Sequence, residues 1–126
     1  MACRISELVL ECHDPEVLAR FWCEVLEFVV LGYEADGSVE IGPRAGFGGV
    51  QPTMILSRTD EPRKSESRLH IDVNATDRDH DAELERLLHV GARPVDVGQT
   101  GQESWRVLAD PEGNEFCLLR ARLQQL

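Results

Sequence analysis

Apolar and polar positions change period several times along the chain, and each change marks an element. From Ile5 to Cys12, Glu7, Val9 and Glu11 alternate with Leu8, Leu10 and Cys12, the period of a half-buried strand. Asp14-Pro15 then places an N-cap before a proline suited to the first helical position. Val17, Leu18, Phe21, Trp22 and Val25 follow at helical spacing, so the segment reads as an amphipathic helix of about three turns with both aromatics in its core stripe. Glu27 to Tyr33 and Ser38 to Ile41 read as short strands around the turn Ala35-Asp36-Gly37. Gly42 to Pro52 is a Gly- and Pro-rich loop, and Thr53 to Ser57 a fourth strand.

The pattern then starts again. Thr59 to Ser67 is wholly polar and reads as a connector. Beyond it Leu69, Ile71 and Val73 alternate with His70, Asp72 and Asn74, and after Asp77 comes a helix with Leu84, Leu87 and Leu88 on one side, stopped by Gly91. Ala92 to Val97 is a predicted strand and Gly98 to Ser104 a polar loop. Trp105 to Ala109 and Glu115 to Leu119 form a predicted hairpin around Asp110-Pro111-Glu112-Gly113, with proline second and glycine last as a type I turn prefers. Sliding one half on the other puts Glu7 on His70, Leu8 on Ile71, Leu10 on Val73 and Asp14 on Asp77. The expected fold is α+β: duplicated βαβββ modules forming a curled, cup-shaped eight-stranded sheet with helices on its outer face. Module one spans 1–58, the linker 59–67 and module two 68–122.

Alternation also sorts the strand residues by face. Leu8, Leu10, Leu69, Ile71 and Val73 are expected to cover the helices, which leaves Glu7, Glu11, His70 and Asp72 on the opposite, acidic face. Such a face suits a cationic ligand or a hard divalent ion, or is simply solvated. Glu115 shares the parity of Cys117 and is expected near the rim of the cup. Cys117 with His70 could be nucleophile and base, but no third group to orient them is visible in the sequence, so Cys117 reads as an inert buried thiol. Trp105 and Phe47, beside or inside loops, are candidates to wall a ligand pocket. His80 and His89 read as surface groups. The run Asp77, Asp79, Asp81 lacks the glycine and terminal glutamate of an EF-hand loop and complements a helix N-terminus instead.

Charge narrows the partners. Thirteen Lys and Arg against 23 Asp and Glu leave a formal charge of −10, which repels phosphate backbones and argues against nucleic acid. No stretch is apolar enough for a membrane span. Four cysteines (Cys3, Cys12, Cys23, Cys117) without CxxC spacing, behind an N-terminus with no signal-peptide pattern, point to free thiols in a cytoplasmic protein.

LVLECHDPEVLARFWCEVLEF in the first half, and RLHIDV with VLADPEGNEFCLL in the second, resemble the vicinal oxygen chelate superfamily of glyoxalase I, bleomycin resistance proteins and extradiol dioxygenases, in its glyoxalase-like branch. The resemblance covers nearly the whole chain. In metal-dependent members it implies one metal ligand from the first and last strand of each module. Those positions fall here on Glu7, on Ile55, on His70 and on Cys117. Ile55 cannot ligate, and Cys117 would bring a soft thiolate among harder donors. Glu27 stands where that family's first module usually carries the glycine that ends the helix. The expected function is small-molecule binding in an acidic cup by a homodimer, with Glu7, Glu11, Phe47, Ile55, His70, Asp72, Trp105, Glu115 and Cys117 in contact with the ligand and with neither a tightly bound metal nor another cofactor. The alternative is a divalent-metal-dependent lyase, isomerase or dioxygenase of the glyoxalase type using Glu7 and His70.

Overall fold

The computed structural model describes residues 2–63, 69–96 and 105–126, the side chain of Trp105 excepted. The chain divides into two compact units, Met1–Pro62 and Arg63–Leu126. Unit one carries β1 (Glu7–Cys12), α1 (Pro15–Leu26), β2 (Val29–Tyr33), β3 (Val39–Gly42) and β4 (Thr53–Arg58). Unit two carries β5 (Ile71–Asn74), α2 (His80–His89), β6 (Arg93–Pro94), β7 (Trp105–Ala109) and β8 (Glu115–Leu119). The result is an α+β fold with two four-stranded mixed sheets. Their orders are β1-β4-β3-β2 and β5-β8-β7-β6, with the first pair parallel and the others antiparallel in both. One topology drawn twice is the duplication that the alternating pattern predicts. No described helix is long and apolar enough to cross a membrane.

Local chemistry explains the elements. Asp14 caps α1 by accepting from the Val17 N–H at 3.3 Å, and Pro15 opens the helix where a missing N–H does no harm. The helix buries Leu18, Ala19, Phe21 and Trp22 against its sheet, where Val39, Ile41, Met54 and Leu56 supply the other side of the core. Phe21 and Trp22 meet edge to face with centroids 5.2 Å apart. Unit two builds a smaller core from Leu87, Leu108, Phe116 and Leu118.

Some elements depart from the sequence reading. Leu69 precedes β5 and is 55 % exposed, so it does not cover a helix. The sixth strand shrinks to Arg93–Pro94, because proline cannot donate to the ladder; one further bond, from the Val95 N–H to the Val107 carbonyl, ends the pairing, and Val97 lies outside the described residues. His80, read as a surface group, is buried at the first turn of α2. Its Nδ1 lies 3.2 Å from Asp81 Oδ1, and its buried Nε2 has no partner among the described residues. Gly42 belongs to β3 rather than to the loop. A Cβ there would stand 2.7 Å from Thr53 Cγ2 and 2.8 Å from Leu31 Cδ1, so the close packing of neighbouring strands requires glycine.

Candidate functional site

In unit two the sheet's polar face gathers three chemically distinct side chains. β5 and β8 run parallel with Ile71 opposite Phe116 and Asp72 opposite Cys117. Phe116 faces the core, so strand alternation turns Asp72, Cys117 and the preceding His70 to the other side. His70 Nε2 lies 3.0 Å from Cys117 Sγ and 3.4 Å from Asp72 Oδ1. One donor atom from each residue lies within 4.8 Å of the other two. Cys117 is 6 % exposed and forms the floor, while the His70 and Asp72 side chains are about half exposed.

The hairpin places Cys117. Asp110, fully buried at the end of β7, accepts from the backbone N–H groups of Glu112 and Asn114, each at 2.9 Å, and from the Asn114 side-chain amide. Its carbonyl also accepts from the Gly113 N–H at 2.8 Å. The Asp-Pro-Glu-Gly-Asn turn is thus folded on its own carboxylate. Arg63 adds hydrogen bonds to the carbonyls of Glu112 and Gly113.

Electrostatics then limits what the cluster can do. Burial, followed by the charges of Asp72 and Glu115, pushes the Cys117 thiol above its ordinary range, so the resting residue is a thiol rather than a nucleophilic thiolate. A third group does stand beside His70, but on the wrong side for a relay. Asp72 and Cys117 both meet Nε2, whereas an orienting carboxylate would hold Nδ1 and leave Nε2 to take the proton. Three donor atoms this close could hold a metal ion, and their arrangement is not that of a proton relay.

Unit one uses its polar face differently. Glu7 Oε2 accepts from Thr53 Oγ1 at 3.0 Å, across the parallel β1–β4 pair. Glu40, between the buried Val39 and Ile41 and opposite Ile55 in register, shares that face. Partial burial, a hydrogen bond with Glu7, and the charges of Glu7 and Glu34 raise its carboxyl above the usual range. Sequence reasoning missed Glu40, although a lone acid alternating with Val39 and Ile41 was the available signal. Ile55 lies between Val9 and Glu40 in the ladder, Glu11 is exposed opposite Ser57, and Phe47 sits 63 % exposed on the loop between β3 and β4. Arg4 ties that loop down by donating to the carbonyls of Gly48 and Gly49 at 2.8 Å.

Of the nine residues singled out in sequence, His70, Asp72 and Cys117 come together. Glu115 follows two residues before Cys117, exposed, with its charge felt by the thiol. Glu7 pairs instead with Thr53 and Glu40. Trp105 opens β7 opposite Leu119, and its side chain lies outside the described residues. Of the four positions at which the family resemblance implies ligands, Ile55 is a hydrocarbon and the Glu7 carboxylate accepts from Thr53 Oγ1.

Two modules of identical topology, each offering a polar sheet face, define the class of the vicinal oxygen chelate proteins. Within it the chain belongs to the glyoxalase-like domain family, which matches residues 7–119. Solved structures share the fold. The fosfomycin resistance protein FosX from Mesorhizobium loti superposes with a TM-score of 0.68 at 17% identity, over 98% of this chain and 96% of its own. TnmS3, an antibiotic binding protein from Streptomyces sp. CB03234, gives 0.62 at 20% identity over 94% and 95%. A glyoxalase/bleomycin resistance protein/dioxygenase family enzyme from Burkholderia phytofirmans PsJN gives 0.67 at 13% identity over 90% and 94%. At such identities the likeness is one of fold alone. Among curated proteins nothing matches the chain closely.

Proposed function

We propose that the protein binds a small molecule, preferably a cationic one, on acidic sheet faces, as a homodimeric cytoplasmic member of the glyoxalase/bleomycin resistance group, and that it does so without the four-ligand metal centre of that group. The observation that carries the reading is the fate of the inherited ligand positions: Ile55 offers no donor, while Glu7 and Glu40 crowd two carboxyl groups onto one face. A cation relieves that repulsion. Glu7, Glu11, Ile55 and Phe47 are the proposed ligand contacts of module one, and His70, Asp72, Trp105, Glu115 and Cys117 those of module two. An antibiotic binding protein of the same fold supports the assignment.

The test is a thermal-shift panel of amines, guanidinium compounds, anions and neutral carbonyl compounds on wild type and on Glu7→Gln/Asp72→Asn. Cations are expected to raise the wild-type melting temperature, less so at high salt, and to lose their advantage in the double variant. Stabilisation by anions or neutral carbonyls alone overturns the reading. A second reading, a divalent-metal-dependent lyase, isomerase or dioxygenase, draws support from the cluster in module two, with His70, Asp72 and Cys117 replacing the pair Glu7 and His70 as its donors. For assembly, light scattering at micromolar concentration should give twice the chain mass, since a stable interface of about 1,000 Å² or more is expected; a monomer mass refutes the dimer.

A further inference from the structure

We infer that module one pairs with its own counterpart in a second copy of the chain, through an acid-free face made of Ile5, Phe47 and Val50. These side chains are 70, 63 and 90 % exposed, and large apolar groups gathered at one place on a surface mark an interaction site. Their backbone brings them together. The Thr53 N–H donates to the Ser6 carbonyl at 3.0 Å, which lays the segment before β1 beside the start of β4, and Arg4 reaches across to the carbonyls of Gly48 and Gly49 at 2.8 Å. Ile5 thus stands next to the residue that grips the loop, while Phe47 and Val50 flank the two carbonyls it holds. Gly46 and Gly48 turn the loop at φ 81° and 87°, and a Cβ at either would meet nothing within 4 Å, so open space surrounds the turn.

Charge names the occupant. All 23 Asp and Glu lie outside residues 1–6 and 41–59, and those two segments carry Arg4, Arg44 and Arg58. Two chains of net charge −10 repel one another, and the approach that costs least brings their acid-free faces together, with each exposed Arg44 beside a partner of opposite net charge. Docking this face on the acidic sheet face of a neighbour would also match charge. That contact is heterologous and grows into rings or filaments, whereas the same face meeting itself closes at two. The pairing rests on the homodimer reading above and adds to it the surface that forms the dimer. Phe47 is a ligand contact in that reading too, which makes the ligand and the second copy neighbours on this loop.

Sedimentation equilibrium of the full chain tests it, in wild type, in F47D/V50D and in Y33D. Tyr33 is as exposed as Phe47 but sits at the far end of the β2–β3 pair, opposite Val39, while Gly42, which leads into the loop, lies opposite Val29. The wild type should be a dimer whose dissociation constant falls as salt rises, because screening removes the net repulsion between the chains. F47D/V50D should raise that constant at least about 30-fold, as loss of an interface hot spot does, and Y33D should leave it within about threefold. Amide exchange on the wild type covers the case of a misfolded variant: residues 46–50 should gain protection as the chain is concentrated through its dimerisation range. A wild-type dimer whose constant is unchanged in F47D/V50D, or whose 46–50 amides gain no protection, overturns this face and leaves the dimer reading standing. So does a loss in Y33D as large as that in F47D/V50D. Masses that keep growing beyond two chains overturn the closed pairing, and a wild-type monomer overturns the face and the dimer together.

Discussion

The two modules share strand order, strand directions and the register of the parallel pair, yet differ at nearly every position of the polar face. Where module two carries His70, Asp72 and Cys117, module one carries Glu7, Val9 and Ile55 at the matching points, as the pairs Asp72–Cys117 and Val9–Ile55 show. Where module one carries Glu40 opposite Ile55, module two carries Val107 opposite Cys117. The apolar faces have not diverged in kind, since Met54 and Leu56 in one and Phe116 and Leu118 in the other remain buried. Packing fixes one face of each sheet and leaves the other free to change chemistry. One copy carries a His-Asp-Cys cluster and the other a carboxyl pair.

The cores should give the largest effects. Trp22→Ala, at a residue 1 % exposed, should destabilise by about 3 to 5 kcal/mol, and Leu87→Ala, its counterpart in the smaller core, by about 2 to 5 kcal/mol. Chemical denaturation of both variants measures this. If Leu87→Ala proves neutral, module two is not held by the core described for it.

The turns come next. Asp110→Ala removes the carboxylate that satisfies two backbone N–H groups and an amide inside the protein, at about 3 kcal/mol for charge-assisted bonds in a buried setting. Asp36→Ala, in the module-one turn where an exposed carboxylate accepts from the Ser38 N–H at its surface, should matter far less. Equal losses in the two variants would remove the distinction drawn between a templated hairpin and an ordinary turn.

Much of this was legible in the chain before any coordinates. Alternation in Glu7–Cys12, the Asp14-Pro15 start and the Asp110-Pro111-Glu112-Gly113 turn are local signals, and each produced the element it predicts. Parity also put His70 and Asp72 on one face. What local pattern could not supply was the register between β5 and β8, strands far apart in sequence, and only that register brings Cys117 against Asp72. His80 was misread for a related reason. A histidine among three aspartates has a solvated composition, while its burial is set by how the first turn of α2 meets the rest of its unit.

The carboxyl pair of module one gives a pH prediction. Glu40 holds its proton more tightly in the folded protein than in the unfolded chain, so its contribution to stability is complete at low pH and is lost as pH rises through its raised range. Unfolding measured between about pH 4 and pH 8 should show stability falling on this account, and Glu40→Gln should flatten that part of the profile. Module two has Val107 at the matching place, so a Val107→Ala variant should keep the wild-type slope. A slope unchanged in Glu40→Gln assigns it to another group.

The smallest effect separates the helix ends. α1 stops on Glu27 in the left-handed region, φ 57° and ψ 38°, with the Phe28 N–H donating to the Cys23 carbonyl at 3.1 Å. α2 stops at Val90 in an ordinary conformation, and Gly91 takes the positive φ of 122° just beyond it. A side chain with a Cβ in the left-handed region carries a strain of about 1 kcal/mol that glycine escapes, even after glycine's greater freedom in the unfolded chain is counted against it. Glu27→Gly should therefore stabilise module one by roughly 0.5 to 1 kcal/mol, and Gly91→Ala should destabilise module two by about 1 kcal/mol or more. Matched thermal melts of the two variants check both signs at once. If Glu27→Gly is destabilising, the Glu27 side chain makes a favourable contact that outweighs its backbone strain, and the glutamate has been kept at the end of α1 for that contact.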